Sequence, residues 1–195
     1  MDLLDQYPCR LRSPQKLKDP GTRGTSLVRP FPIGYNRDVP ADHAQKVRSL
    51  LPAKALAIAA YGESVDTYRY RTLSTKTSDP AIRDEFIQMA DEEQGHLAAM
   101  QQLIEEYFPG DFVLTPEDKA LIIVGQRLLD AYDDAALAKV MPLIIESERL
   151  TGRFYGVLAE TMPRPDLKPF FQEMADECFD HAERLTQLRI GSGGS

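Results

Sequence analysis

Two glutamate–histidine sets recur along the chain at a fixed spacing. Glu63 and His96 are 33 residues apart, and Glu148 and His181 repeat that separation 85 residues later. The same offset of 85 pairs Tyr70 with Tyr155, Leu73 with Leu158, Pro80 with Pro165, Phe86 with Phe171, and Met89–Glu92 with Met174–Glu177. Because the matches include metal-binding residue types, we interpret the repeat as two helical hairpins that present carboxylate and imidazole inward. Two such hairpins predict a four-helix bundle with a two-metal core.

Glu93 and His96 have the i, i+3 spacing that places two side chains on one face of a helix. They lie on or beside the apolar stripe of that segment, which comprises Ile82, Phe86, Met89, Ala90, Leu97, Met100, Leu103 and Ile104. A buried carboxylate without a partner is costly, and a metal cation satisfies a glutamate and a neutral histidine together. This ligand set suits iron, manganese and sometimes zinc. We expect Glu63, on the preceding helix, to face the pair across the hairpin.

The second copy differs from the first at the position equivalent to Glu93, which is Cys178. Glu177 lies four residues before His181 and could supply the missing oxygen from the same face of the helix. Alternatively the Cys178 thiolate binds the metal, or that position stays empty. The sequence therefore predicts an asymmetric site, and a bundle that has lost its metal is the competing interpretation.

Residues beside these ligands are expected to support them. Asp91 and Asp176 each precede a motif histidine by five residues, and we expect each to contact the outer imidazole nitrogen of the histidine in the other repeat. The alternative is that both are ordinary helix acids. Tyr70 and Tyr155 are also expected beside the site, where core packing explains them better than a redox role.

Several of these motifs resemble those of rubrerythrins, in the ferritin-like superfamily. The resemblance rests on Gly62-Glu63-Ser64, Arg69-Tyr70 and Met89 to His96, and it extends more weakly to Ile145–Glu148 and Asp176–His181. It implies an all-α, ferritin-like four-helix bundle built from two repeated hairpins with a long crossover. It also implies that Glu63, Glu93, His96, Glu148 and His181 bind two iron ions, with a glutamate missing at Cys178. Rubrerythrins carry a further carboxylate where this chain has Thr151. The equivalent residue of the first repeat, Asp66, is acidic. This difference between the repeats argues against a symmetric centre.

The resemblance implies a diiron redox protein that reacts with peroxide or O2, of the peroxidase or ferroxidase type. Glu63 and Glu148 are the candidate bridging and catalytic carboxylates, and the two histidines are terminal ligands. Manganese or a mixed iron–manganese pair is also compatible, and the second site could be partly filled. The alternatives are a ferritin-like hydroxylase or oxidase of an organic substrate, and a non-catalytic iron-binding or storage protein.

Rubrerythrins commonly end in a rubredoxin module that holds iron through C-x-x-C pairs. This chain has two cysteines, Cys9 and Cys178, and no such pair. We therefore expect an external electron donor, such as a rubredoxin-like or flavin protein.

Composition predicts three regions. Residues 1–40 contain six of the 14 prolines and form an expected extended basic arm; residues 41–190 form the bundle; residues 191–195, Gly-Ser-Gly-Gly-Ser, form a flexible tail of the kind added during cloning. Unpaired cysteines and the lack of a signal or apolar span favour a reduced, cytoplasmic protein. The net charge of −7 argues against nucleic-acid binding, and we expect a homodimer.

Residues that typically start and stop helices predict where the helices lie. Helices are predicted over about 41–74 with a break near Pro52, 80–107, 133–162 and 165–190. A short helix is predicted after Thr115, within the long crossover.

Overall fold

A computed structural model describes residues 41–110, 112–122, 131 and 133–192. In this part of the chain there are six α-helices and no strand: α1 (Ala41–Arg48), α2 (Pro52–Ser74), α3 (Pro80–Tyr107), α4 (Pro116–Lys119), α5 (Asp134–Thr161) and α6 (Lys168–Ser192). The prediction of an all-α, ferritin-like bundle is confirmed. The predicted arm, residues 1–40, and the last three residues of the predicted tail lie outside the described residues. The last helix continues two residues beyond its predicted end at Ile190.

The first hairpin consists of α2 packed against α3. Pro52 and Pro80 each stand in the first turn of a helix, where a missing N–H costs nothing. The Asp79 side chain accepts from the backbone N–H groups of Ala81 and Ile82, which caps α3. The helix ends before Gly110, whose φ of 152° is a conformation that favours glycine. These local signals explain why α3 begins and ends at the predicted residues.

The crossover leads from the first hairpin to the second and includes α4. Thr115 and Asp118 form a capping box in which each side chain accepts from the backbone N–H of the other. Lys54 Nζ lies 2.8 Å from Asp118 Oδ1, and this ion pair attaches α4 to the side of α2. α4, in the described part of the crossover, is thereby held against the first hairpin.

The second hairpin consists of α5 packed against α6. Asp133 caps α5 by accepting from the backbone N–H of Ala136 at 2.7 Å. A 3-10 turn over Pro165–Leu167 leads into α6. Asp134 accepts hydrogen bonds from Ser78, in the turn between α2 and α3, so the start of α5 lies at the same end of the bundle as that turn.

The apolar core at this end joins all four long helices. It comprises Tyr70, Leu73, Phe86, Met89, Ala90, Leu137, Val140, Met141, Ile144, Ile145, Ala182 and Leu185, among others. Elsewhere the helices approach closely at Gly152, where an added Cβ would lie 2.8 Å from the Phe179 ring. No helix in the described part of the chain is long and apolar enough to span a bilayer.

Candidate metal centre

Five of the predicted ligands form two adjoining groups between the four long helices. One group is Glu63, Glu93 and His96, and the other is Glu93, Glu148 and His181; in each group one ligand atom per residue lies within 4.8 Å of the others. The three glutamates are 1–3% exposed. Glu93 belongs to both groups, whereas Glu63 and Glu148, the bridging candidates of the sequence analysis, belong to one each. Neither group contains Cys178 or Glu177.

Glu63 and Glu148, the outer glutamates of the cluster, each contact a tyrosine through one carboxylate oxygen and face a histidine with the other. Tyr70 donates to Glu148 Oε1 at 2.5 Å, and Tyr155 donates to Glu63 Oε1. The other oxygens face the imidazoles, with Glu63 Oε2 3.4 Å from His96 Nδ1 and Glu148 Oε2 3.7 Å from His181 Nδ1. The tyrosines of one hairpin therefore hold the glutamates of the other, and the free oxygen of each glutamate points at a histidine.

Glu93 lies between the two imidazoles. Its Oε2 is 3.0 Å from His96 Nδ1, and its Oε1 is 2.9 Å from His181 Nδ1. Both histidines thus direct Nδ1 into the cluster. A single carboxylate that faces two inward imidazole nitrogens is placed to bind two cations at once.

The Nε2 atoms of the two histidines, which point away from the cluster, contact Glu177 and Glu92. The sequence analysis did not predict these two glutamates as partners of the outer imidazole nitrogens. His96 Nε2 contacts Glu177, and His181 Nε2 lies 3.0 Å from Glu92 Oε2. The predicted residues are one position away: Asp91 is paired with Arg71 at 3.1 Å, and Asp176 accepts from Gln172 at 3.0 Å. The sequence did contain a signal for these partners, because Glu92 and Glu177 are the same residue type at equivalent positions of the two repeats.

The carboxylates of the cluster shift the pKa values of the two histidines. Burial alone would lower the pKa of His96, but contacts with Glu177, Glu63 and Glu93 raise it to about 12. His181 is likewise opposed by burial, and contacts with Glu148, Glu92 and Glu93 raise its pKa to about 12. Burial, and then the neighbouring Glu93, raise the pKa of Glu63. The surrounding carboxylates thus favour positive charge at both imidazole positions.

Two buried atoms without hydrogen bonds are consistent with a metal site. Glu63 Oε2 and His181 Nδ1 are fully buried and make no hydrogen bond, although charged neighbours lie close to both. Buried polar atoms usually have partners, so such atoms need an explanation. A metal ion bound by carboxylate oxygens and imidazole nitrogens would satisfy both, and the donor set suits iron or manganese.

The residues next to the candidate ligands differ between the two repeats. Cys178 is buried, and burial followed by the nearby Glu148 raises the pKa of its thiol well above the usual value. Thr151 is buried on α5, whereas its repeat partner Asp66 forms an ion pair of 2.6 Å with the buried Arg69. Burial raises the pKa of Asp66 to about 7 despite this pairing. Arg69 also donates to Ser147, beside Glu148, at 3.2 Å.

Comparison with known proteins bears on the first hairpin. Residues 54–123 match the family model described as Rubrerythrin. The matched segment is rubrerythrin-like. This match confirms the resemblance drawn from the motifs around Glu63 and His96, and rubrerythrin domains bind iron. The rubrerythrin match ends before α5, so it covers Glu63, Glu93 and His96 but not Glu148 and His181.

A comparison of folds covers more of the chain. A solved structure of a hypothetical protein from Pyrococcus furiosus superposes with a TM-score of 0.60 at 20% sequence identity, over 75% of this chain and 93% of that one. At this identity the likeness concerns the fold alone. No curated protein gave a significant match.

Proposed function

We propose that this rubrerythrin-like chain is a dimetal redox protein, with two iron ions, that reduces peroxide or reacts with O2. The observation that supports the proposal best is Glu93, which faces both inward histidine nitrogens from the centre of a buried carboxylate cluster. Two metals about 3.5–4 Å apart can act together on both atoms of a small substrate. The rubrerythrin match makes iron the first choice of metal.

The residues would divide the work as follows. Glu93, which belongs to both groups, would hold both metal ions, whereas the sequence analysis gave that role to Glu63 and Glu148. Glu63 with His96 would complete one position, and Glu148 with His181 would complete the other. Tyr70 and Tyr155 orient the two outer glutamates. The buried position of the cluster excludes bulk water from the ligands.

Peroxide reduction to two water molecules consumes two electrons and two protons. The two cysteines of this chain, Cys9 and Cys178, form no C-x-x-C pair that could hold a second iron centre as a relay. We therefore propose that the electrons come from a rubredoxin-like or flavin protein. A reduced nicotinamide nucleotide alone should support little turnover, and addition of such a donor should restore it.

An organic substrate has less support. A cavity of about 420 Å³ is lined by Asp79, Ala81, Ile82, Glu85, Arg184, Gln187 and Leu188, and none of these is a candidate ligand. The cavity therefore gives no reason to prefer a hydroxylase. Iron storage would need a closed shell of many subunits, so the native mass distinguishes it from the homodimer that we propose.

The decisive experiment is metal analysis of anaerobically purified protein, followed by peroxide consumption with an added donor. We expect two iron equivalents per chain. Glu93→Gln should lose both, whereas His96→Ala and His181→Ala should each keep at most one. Asp84→Asn is the control, because Asp84 lies on the same helix with a side chain that is 71% exposed. Unchanged metal content in Glu93→Gln would overturn the proposal.

A further inference from the structure

Arg184 links one histidine of the centre to a cluster of acids on the bundle surface. It lies on α6, one turn after His181, and its side chain is 21% exposed. Its Nη1 lies 2.8 Å from Glu92 Oε2, and its Nε donates to Glu85 Oε1 at 2.6 Å. Both acids belong to α3, so the guanidinium spans the two helices.

Glu92 is the residue through which Arg184 reaches the centre. The same Oε2 that accepts from Arg184 lies 3.0 Å from the outer nitrogen of His181. Gln88 donates to the other oxygen of Glu92 at 2.9 Å. With both oxygens of Glu92 held, the His181 ring is fixed from its outer side while Nδ1 faces Glu93.

The other repeat has the glutamate but not the guanidinium. His96 contacts Glu177 through its outer nitrogen, as His181 contacts Glu92. The repeat position of Arg184 is Ala99, and that of Glu85 is Phe170. The Glu177 side chain is 43% exposed, against 33% for Glu92. The Arg184 bridge therefore exists on the His181 side of the centre and has no counterpart at Ala99.

The histidine that Arg184 holds through Glu92 lies on α6, a helix that supplies no carboxylate to either ligand group. Cys178 stands on the His181 helix at the repeat position of Glu93, so α6 supplies His181 alone to the two ligand groups, whereas α3 supplies both Glu93 and His96. A metal ligand held in place by its outer neighbours binds more tightly, typically by 10–100-fold. The positive charge of Arg184 opposes a cation, but Glu85, Glu92 and Asp180 all lie within 3.6 Å of the guanidinium and outnumber it. Positioning should therefore outweigh repulsion.

We propose that Arg184 is a positioning residue that, through Glu92, fixes His181, the one residue that α6 supplies to the candidate ligand groups, and so maintains metal affinity at the position that His181 would help to hold. This inference rests on the proposed dimetal function. It assigns to Arg184 an effect on one of the two metal positions only.

The test is a titration of metal-free protein with Co²⁺, followed by its visible absorption bands, for the wild type, Arg184→Ala and Arg184→Lys. We expect Arg184→Ala to weaken one binding step by about 10–100-fold and to leave the other step unchanged. Arg184→Lys, which keeps a charge beside Glu92, should recover part of the loss. Arg83→Ala, which removes an arginine of α3 that contacts its neighbour Asp84, is the control.

The outcomes separate the possibilities. If both binding steps stay unchanged while the melting temperature of the metal-free protein falls, Arg184 is a simple interhelical ion pair and the inference is wrong. If Arg184→Ala does not fold, Glu85→Gln removes the other anchor of the guanidinium and should weaken the same step. If the wild-type protein itself fails to bind two equivalents, the dimetal proposal is overturned as well, whatever the variants show.

Discussion

The Tyr70 hydroxyl on α2 donates to Glu148 Oε1 on α5 at 2.5 Å, across the interior of the bundle. The repeat-equivalent contact joins Tyr155 to Glu63 in the opposite direction. Each hairpin thus contributes the donor that orients the glutamate of the other. The hydroxyls remain protonated donors, because burial, reinforced by Glu148 for Tyr70 and by Glu63 for Tyr155, raises the pKa of each tyrosine well above its usual value.

Tyr70→Phe and Tyr155→Phe should each destabilise the metal-free protein by about 1–3 kcal/mol, because a buried carboxylate acceptor loses its donor. Tyr68→Phe is the matched control, since Tyr68 is on α2 and 42% exposed. Chemical denaturation of the metal-free variants measures the effect. Equal stability of Tyr70→Phe and Tyr68→Phe would contradict the orienting role.

Metal uptake should release protons. In the metal-free protein both histidines have a pKa of about 12, so they are protonated at neutral pH, whereas metal ligation requires neutral imidazole. Apparent metal affinity should therefore rise with pH through the neutral range. Calorimetric titration in buffers of different ionisation enthalpy would count the protons, and a buffer-independent heat would refute this.

The same shifts predict how stability depends on pH without metal. The folded pKa of His96 lies above the usual histidine value of about 6.5, so its stabilising contribution is complete below that value and declines as pH rises toward 12. The metal-free protein should therefore lose stability on the alkaline side, and the metal-loaded protein should lose less. Thermal melts at several pH values, with and without metal, test this difference.

Substitution of Cys178 should change metal binding on the His181 side of the centre, and substitution of Glu177 should change metal binding on the His96 side. Glu177→Gln removes a charge from the outer nitrogen of His96, so we expect weaker metal binding at that position and not at the other. Cys178→Glu restores the repeat and should raise occupancy of the second position. If the thiol binds ferric iron, a visible charge-transfer band should vanish in Cys178→Ser. A structure of the unaltered protein with two identical, fully occupied sites would end the case for asymmetry.

Close helix packing at Gly152 should be sensitive to a single methyl group. Gly152→Ala forces the Phe179 ring to move and should destabilise by about 1–3 kcal/mol. Gly95→Ala is the control, because an added Cβ there meets nothing within 4 Å, and it should stabilise by about 0.4–1 kcal/mol. Melting temperatures of the two variants should move in opposite directions.

The sequence alone determined the helices and the ligand types. Asp79-Pro80 and Thr115-Pro116 carry capping and first-turn signals that act within a few residues, so the starts of α3 and α4 could be predicted without tertiary information. The fixed offset between Glu63/His96 and Glu148/His181 identified the candidate ligands that the fold brings together, because one hairpin repeated twice must bury equivalent positions in the same core.

Only the tertiary structure decided which of these side chains meet. Adjacent helix residues differ in direction by about 100°, so the rotation of α3 against α6 chooses Glu92 over Asp91 as the partner of His181. Spacing along one helix cannot reveal this rotation, which is set by packing between helices. For the same reason, the central place of Glu93 between two imidazoles and the bridge from Arg184 to Glu92 became visible only when the two hairpins were packed together.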